Sequence, residues 1–93
     1  MYSLIYVSGF WDELQNMIAF YENKSSGLGK RLLKDVDETL LKLSNNPFAY
    51  YNLENNKRRI PLRIFQSLIV YEIQEEVIEI LALSDFRSKP KKY

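Results

Sequence analysis

Lys57-Arg58-Arg59-Ile60-Pro61-Leu62-Arg63-Ile64-Phe65, then Leu68-Ile69-Val70-Tyr71-Glu72-Ile73, then Val77-Ile78-Glu79-Ile80-Leu81-Ala82-Leu83 are three apolar runs separated by short polar breaks. Runs of this length, rich in β-branched and aromatic residues, predict strands rather than helices. Gln66-Ser67 and Gln74-Glu75-Glu76 are the expected turns, which makes the three strands an antiparallel meander. In the first strand Ile60, Leu62 and Ile64 fall on one face, and Arg59, Arg63 and Phe65 on the other. Pro61 has no N–H for a ladder, so this strand is expected at a sheet edge. The other two are apolar on both faces at most positions, as suits central strands covered on one side by helices.

Outward from this block, the N-terminal half is helical. Residues 2–7 alternate as a first strand, and Ser8 is a plausible helix cap followed by Asp12 and Glu13 near the positive end of the helix dipole. Trp11, Leu14, Ile18 and Tyr21 recur at helical spacing, predicting a helix over residues 9–23. A break at Asn23-Lys24-Ser25-Ser26-Gly27 precedes a second stripe of Leu28, Leu32, Val36, Leu40 and Leu43. Ser44-Asn45-Asn46-Pro47 ends it, because asparagine accepts the cap and proline cannot continue the helix. Residues 48–56 read as a loop or irregular strand. The expected fold is a single α+β domain over residues 1–93: strand, helix, helix and three strands, with a helical hairpin packed on an antiparallel-meander sheet.

Composition removes several chemistries. The 93 residues contain no cysteine and no histidine, so disulfides, thiolate sites and the commonest general base and metal ligand are all missing. No metal or small-molecule cofactor is expected. No run is long enough to span a membrane, and the start lacks the pattern of a secretory signal, so a cytoplasmic protein is the expectation. Up to Leu53 there are five basic and six acidic residues, and from Glu54 onward eight basic and six acidic. The late cations fall in two groups, Lys57 to Arg63 and Arg87 to Lys92.

Those two groups are the candidate site. Arg58, Arg59 and Arg63 offer planar guanidinium forks suited to phosphate or to an acidic protein surface, although charge on an edge strand also guards it against aggregation. In the tail, Arg87, Lys89, Lys91 and Lys92 are interleaved with Phe86 and Tyr93, a mixture that neutralises phosphates and stacks on bases. Arginine is too basic to accept a proton, so a ribonuclease would lack a visible general base. Tyr50-Tyr51 and Trp11 read as packing or interface groups. Gly27-Leu28-Gly29-Lys30 lacks the spacing of a phosphate loop and reads as a turn and helix start. Carboxylate pairs such as Asp35 with Glu38 read as solvated helix charges.

In order along the chain, several stretches resemble the ParE/RelE superfamily of small toxins from bacterial type II toxin–antitoxin systems. They are Leu40-Leu41-Lys42-Leu43-Ser44-Asn45-Asn46-Pro47, Arg58-Arg59-Ile60-Pro61-Leu62, Phe65 through Tyr71, Ile78 through Leu83, and the ending with Arg87, Pro90 and Tyr93. The likeness covers essentially the whole chain and favours the ParE-like branch. It implies a plasmid-stabilisation-type toxin neutralised by a cognate antitoxin protein and inhibiting growth by binding DNA gyrase. The target-binding residues would be Arg58, Arg59, Arg63, Arg87, Lys89 and Tyr93. The alternatives are a RelE-like endoribonuclease acting on messenger RNA in the ribosome, with Arg63, Arg87 and Tyr93 as candidate catalytic groups, and a non-toxic binding module on the same fold. Many relatives carry a histidine near the position of Ser84 or Asp85, and its absence here means that any role it has is lost or reassigned.

Overall fold

In a computed structural model, residues 2–52 and 56–85 are described, apart from the side chains of Tyr51 and Asp85. The elements are β1 (Ser3–Tyr6), α1 (Phe10–Lys24), α2 (Leu28–Asn45), a 3-10 turn (Pro47–Ala49), β2 (Tyr51–Asn52), β3 (Lys57–Pro61), β4 (Ser67–Gln74) and β5 (Val77–Asp85). The strands form one sheet in the order β1-β5-β4-β3-β2. Strands β3 to β5 are the expected antiparallel meander, the two-residue β2 extends it beyond β3, and β1 joins the far edge parallel to β5, with Ser3 opposite Val77 and Tyr6 opposite Ile80. The sheet is therefore mixed.

One face of the sheet is covered by the helical hairpin. The core is built from Phe10, Leu14 and Met17 of α1, Leu32, Val36, Leu40 and Leu43 of α2, and Ile60, Ile69, Tyr71, Ile78, Ile80 and Leu83 of the sheet. On α2 the buried stripe follows the sequence periodicity. On α1 it is rotated: Phe10 and Met17 are buried, Ile18 and Tyr21 pack at the rim, and Trp11 is 50% exposed. Trp11 is thus not a core residue. The reason lies at the helix start, where Gly9 rather than Ser8 is the cap and takes a left-handed φ of 98°. Phe10 is thereby turned beneath Tyr6, with ring centroids 5.3 Å apart.

A second glycine sets the distance between the helices. A side chain at Gly29 would stand 3.0 Å from the Ile18 carbonyl oxygen and from Ile18 Cγ2, so only glycine permits this approach. The Glu22 carboxylate accepts the N–H of Gly27 at 3.0 Å and of Gly29 at 2.9 Å. The anion at this glycine-rich turn is the chain's own carboxylate, in keeping with a helix start rather than a phosphate loop. Those bonds hold the Glu22 carboxyl below its usual range.

The first meander strand is shorter than its alternation predicts. It ends at Pro61, and residues 63–66 form a bend, so Ile64 is exposed instead of facing the core. Strand β5 contains a bulge: Val70 pairs with Ala82 and Tyr71 with Ile80, leaving Leu81 without a partner. The bulge lets Ile78, Ile80 and Leu83 all face the helices, which accounts for the unbroken apolar run.

Candidate functional site

The three arginines of the basic stretch go to three different surroundings. In β3, Arg58 is opposite the buried Tyr71 and Arg59 is opposite Val70, so they stand on opposite faces of the sheet. Arg58 is on the helix side, where its guanidinium donates to the carbonyls of Tyr50 at 2.9 Å and Phe48 at 3.3 Å and lies over the Phe48 ring. Beside it the Tyr71 hydroxyl donates to the Pro47 carbonyl at 2.7 Å, and burial pushes its phenol up to about 12. Arg58 therefore ties the segment after α2 to the sheet, consistent with Tyr50 packing against the core.

Arg63 lies outside the strand. The N–H groups of Arg63, Ile64 and Phe65 donate to the Asp35 carboxylate at 3.1, 2.8 and 3.0 Å. Asp35 is 1% exposed. Its earlier reading as a solvated charge is corrected: it is a buried acceptor whose lone pairs are matched by backbone donors, as burial of a carboxylate requires. The signal was present in the sequence, because Leu32, Asp35, Val36, Thr39, Leu40 and Leu43 fall on one helical face. By drawing these three amides to α2, Asp35 ends β3 early. Arg63 then joins Arg31 and Lys34 of α2 around a cleft of about 190 Å³, with Asp35, Glu38 and Ile64 completing its wall.

Arg59 remains on the sheet face that the helices do not cover. Cross-strand register arranges this face in rows: Lys57, Glu72, Glu79 and Ile5; then Arg59, Val70 and Ala82; then Pro61, Leu68 and Ser84. Two cations and two carboxylates thus surround a half-buried apolar strip of Leu68, Val70 and Ala82. Among the described residues this face bears no net charge, and it offers no imidazole as a proton acceptor near neutrality. It is chemically suited to a mixed protein surface more than to a polyanion.

The expected single patch of Arg58, Arg59 and Arg63 is therefore not formed, since one arginine is bonded beneath the sheet and another stands over α2. Arg87, Lys89 and Tyr93, the remaining expected site residues, lie outside the described residues. Among the described residues no group of acidic side chains is arranged to hold a metal ion, and no helix is long and apolar enough to cross a membrane.

Residues 4–88 match the family model described as ParE toxin of type II toxin-antitoxin system, parDE. No curated protein matches the chain in sequence. Among solved structures, a chain of the chromosomal ParDE system from P. aeruginosa superposes with a TM-score of 0.73 at 18% identity, covering 91% of this chain and 96% of that one. The intact E. coli RelBE toxin–antitoxin complex supplies a second likeness, with a TM-score of 0.67 at 17% identity, covering 99% of this chain and 100% of that one. Isolated E. coli RelE toxin gives a TM-score of 0.68 at 16% identity, covering 99% of this chain and 88% of that one. The chain belongs to the ParE toxin family of type II toxin–antitoxin systems.

Proposed function

We propose that this member of the ParE toxin family inhibits growth by binding a protein target, DNA gyrase, through the uncovered face of its sheet. The observation that carries this reading is the composition of that face. Arg59 stands beside an apolar strip of Leu68, Val70 and Ala82, and Lys57 shares a row with Glu72 and Glu79. A surface for cutting RNA needs an excess of positive charge to hold the backbone and a group able to take the 2′-hydroxyl proton. The paired carboxylates oppose the first, and arginine cannot supply the second. An apolar strip with a guanidinium at its side suits a protein interface, which joins an apolar centre to a polar rim and favours arginine as an anchor.

Arg59 is the described member of the target-contact set, with Arg87, Lys89 and Tyr93 of the closing segment as its proposed companions. Arg58 supports the surface from beneath. The RelE-like reading, in which Arg63, Arg87 and Tyr93 act on messenger RNA, is less well supported, because the backbone of Arg63 and Ile64 is bonded to Asp35, which holds Arg63 over α2. A cognate antitoxin is the proposed neutralising partner in the cytoplasm. The cleft of Arg31, Lys34 and Arg63 suits an acidic segment of it, since its three cations outnumber the two carboxylates, Asp35 and Glu38, and Asp35 is already engaged by three backbone N–H groups.

Inducible expression tests the reading. Expression of the chain alone is expected to arrest growth, co-expression of a cognate antitoxin to restore it, and Arg59→Ala to abolish the arrest while the protein stays folded. Normal growth on expressing the unaltered chain would instead identify a non-toxic binding module.

A further inference from the structure

Three cations meet in the cleft over α2, and their neighbours do not neutralise them. Arg31, Lys34, Asp35 and Glu38 recur on one face of α2, and the bend after β3 brings Arg63 to the same place. Among the described residues, the side chains of Arg31, Lys34 and Arg63 make no ion pair and no hydrogen bond. Of the two carboxylates there, Asp35 is engaged by the amides of Arg63, Ile64 and Phe65. Like charges gathered in a partly enclosed space repel one another, and an anion entering between them relieves that repulsion.

The same bend has an apolar side. A crevice of about 400 Å³ runs along it, walled by Pro61, Leu62, Ile64, Phe65 and Leu68. Arg63 and Ile64 line both spaces, so the cationic cleft and the apolar crevice adjoin. Ile64 is 48% exposed at their junction. The junction is fixed in place, because Asp35 holds the backbone of residues 63–65 and Phe65 meets Tyr21 edge-on with ring centroids 4.9 Å apart. A groove formed before its ligand arrives loses less free energy to ordering on binding.

We infer that cleft and crevice form one groove for a peptide segment of the antitoxin that carries an acidic side chain close to a large apolar one. The carboxylate is held among Arg31, Lys34 and Arg63, whose guanidinium forks match its two oxygens, and the apolar side chain enters the crevice beside Ile64. Charge selects a peptide over a nucleic acid here. A phosphate backbone needs cations repeated along its path, whereas the surface beyond Arg63 is apolar and that beyond Lys34 carries Glu38. The inference rests on the reading of this cleft as an antitoxin contact, and adds to it the apolar half and the residue pattern of the segment.

Fluorescence anisotropy with the full chain and labelled synthetic peptides tests it. A short peptide alternating aspartate and leucine is expected to bind at least about tenfold more tightly than aspartate–serine or lysine–leucine peptides of equal length. Arg31→Glu combined with Lys34→Glu is expected to weaken that binding about a hundredfold, and Ile64→Ser about tenfold. These substitutions fall on exposed side chains. If a variant fails to fold, the amide shifts of Arg63, Ile64 and Phe65 on adding peptide to the unaltered chain decide alone. Absence of binding, equal binding of either control peptide, full binding by either folded variant, or amide shifts confined to other residues overturns the proposal. So does tighter binding of a single-stranded oligodeoxynucleotide than of the aspartate–leucine peptide. No arm requires toxicity, so a chain that fails to arrest growth leaves these results standing, and failure of the peptide to bind leaves the growth experiment standing.

Discussion

The carboxylate of Asp35, midway along α2, accepts the backbone N–H of Ile64 at 2.8 Å across a sequence separation of 29 residues. With the bonds from Arg63 and Phe65, this one side chain fixes where the β3–β4 connection lies against the helices. Replacing Asp35 by alanine removes the acceptor of three amides. The expected loss of stability is about 3 kcal/mol, because charge-assisted bonds contribute more than neutral ones and the partly exposed loop regains some hydration. Urea denaturation at neutral pH measures it, and a loss below about 1 kcal/mol would show that the loop is held by something else.

Glu22 links acidity to the helical hairpin. Its folded-state pKa is lowered by the N–H groups of Gly27 and Gly29. A depressed carboxyl contributes stability that is present above its unfolded value of 4.5 and lost as pH falls through its folded value. Glu22→Gln is expected to flatten the acid limb of the stability profile below that pH while changing its alkaline limb little. A side-chain titration that places Glu22 at or above 4.5 contradicts the account of this clamp.

Tyr71 provides the opposite sign at high pH. Its phenol is raised from 10.0 to about 12, first by burial and secondarily by Tyr50, with Arg58 opposing. The stability tied to the neutral phenol is complete below pH 10 and declines as pH rises towards 12. Tyr71→Phe is expected to remove this alkaline decline and to cost about 1 kcal/mol at neutrality through the lost bond to the Pro47 carbonyl. Spectrophotometric titration should show one phenol fewer ionising near pH 12.

Arg58 and Arg59 are adjacent in sequence and separable in effect. Arg58→Ala is expected to lower stability by about 2 kcal/mol, since the carbonyls of Phe48 and Tyr50 lose a charged donor. Arg59→Ala is expected to change stability by less than about 1 kcal/mol and to abolish growth inhibition. The reverse pattern, with toxicity depending on Arg58 in a stably folded variant, would move the target-contact surface to the helical side.

The helix pair and the meander were legible because each rests on local periodicity, whereas the edge position expected of β3 from Pro61 is corrected: the two-residue β2 pairs outside it at Arg58 and Arg59, short of Pro61. The parallel seating of β1 was not legible, because the short alternating run of residues 3–6 carries no mark of its neighbour or direction. Periodicity also separates Arg58 from Arg59, but it cannot show that β3 stops at Pro61. That stop comes from Asp35, 28 residues away from Arg63, and so belongs to tertiary structure. Asp35 itself was readable from its place on the apolar stripe of α2, where a carboxylate needs donors.

The uncovered sheet face, with Arg59 beside its apolar strip, is proposed to bind a protein target. Purified chain added in parallel to a gyrase supercoiling reaction and to a cell-free translation reaction tests this directly. The expected result is loss of supercoiling with messages left intact, and Arg59→Ala relieving the inhibition. Cleaved messages with supercoiling unchanged would contradict it.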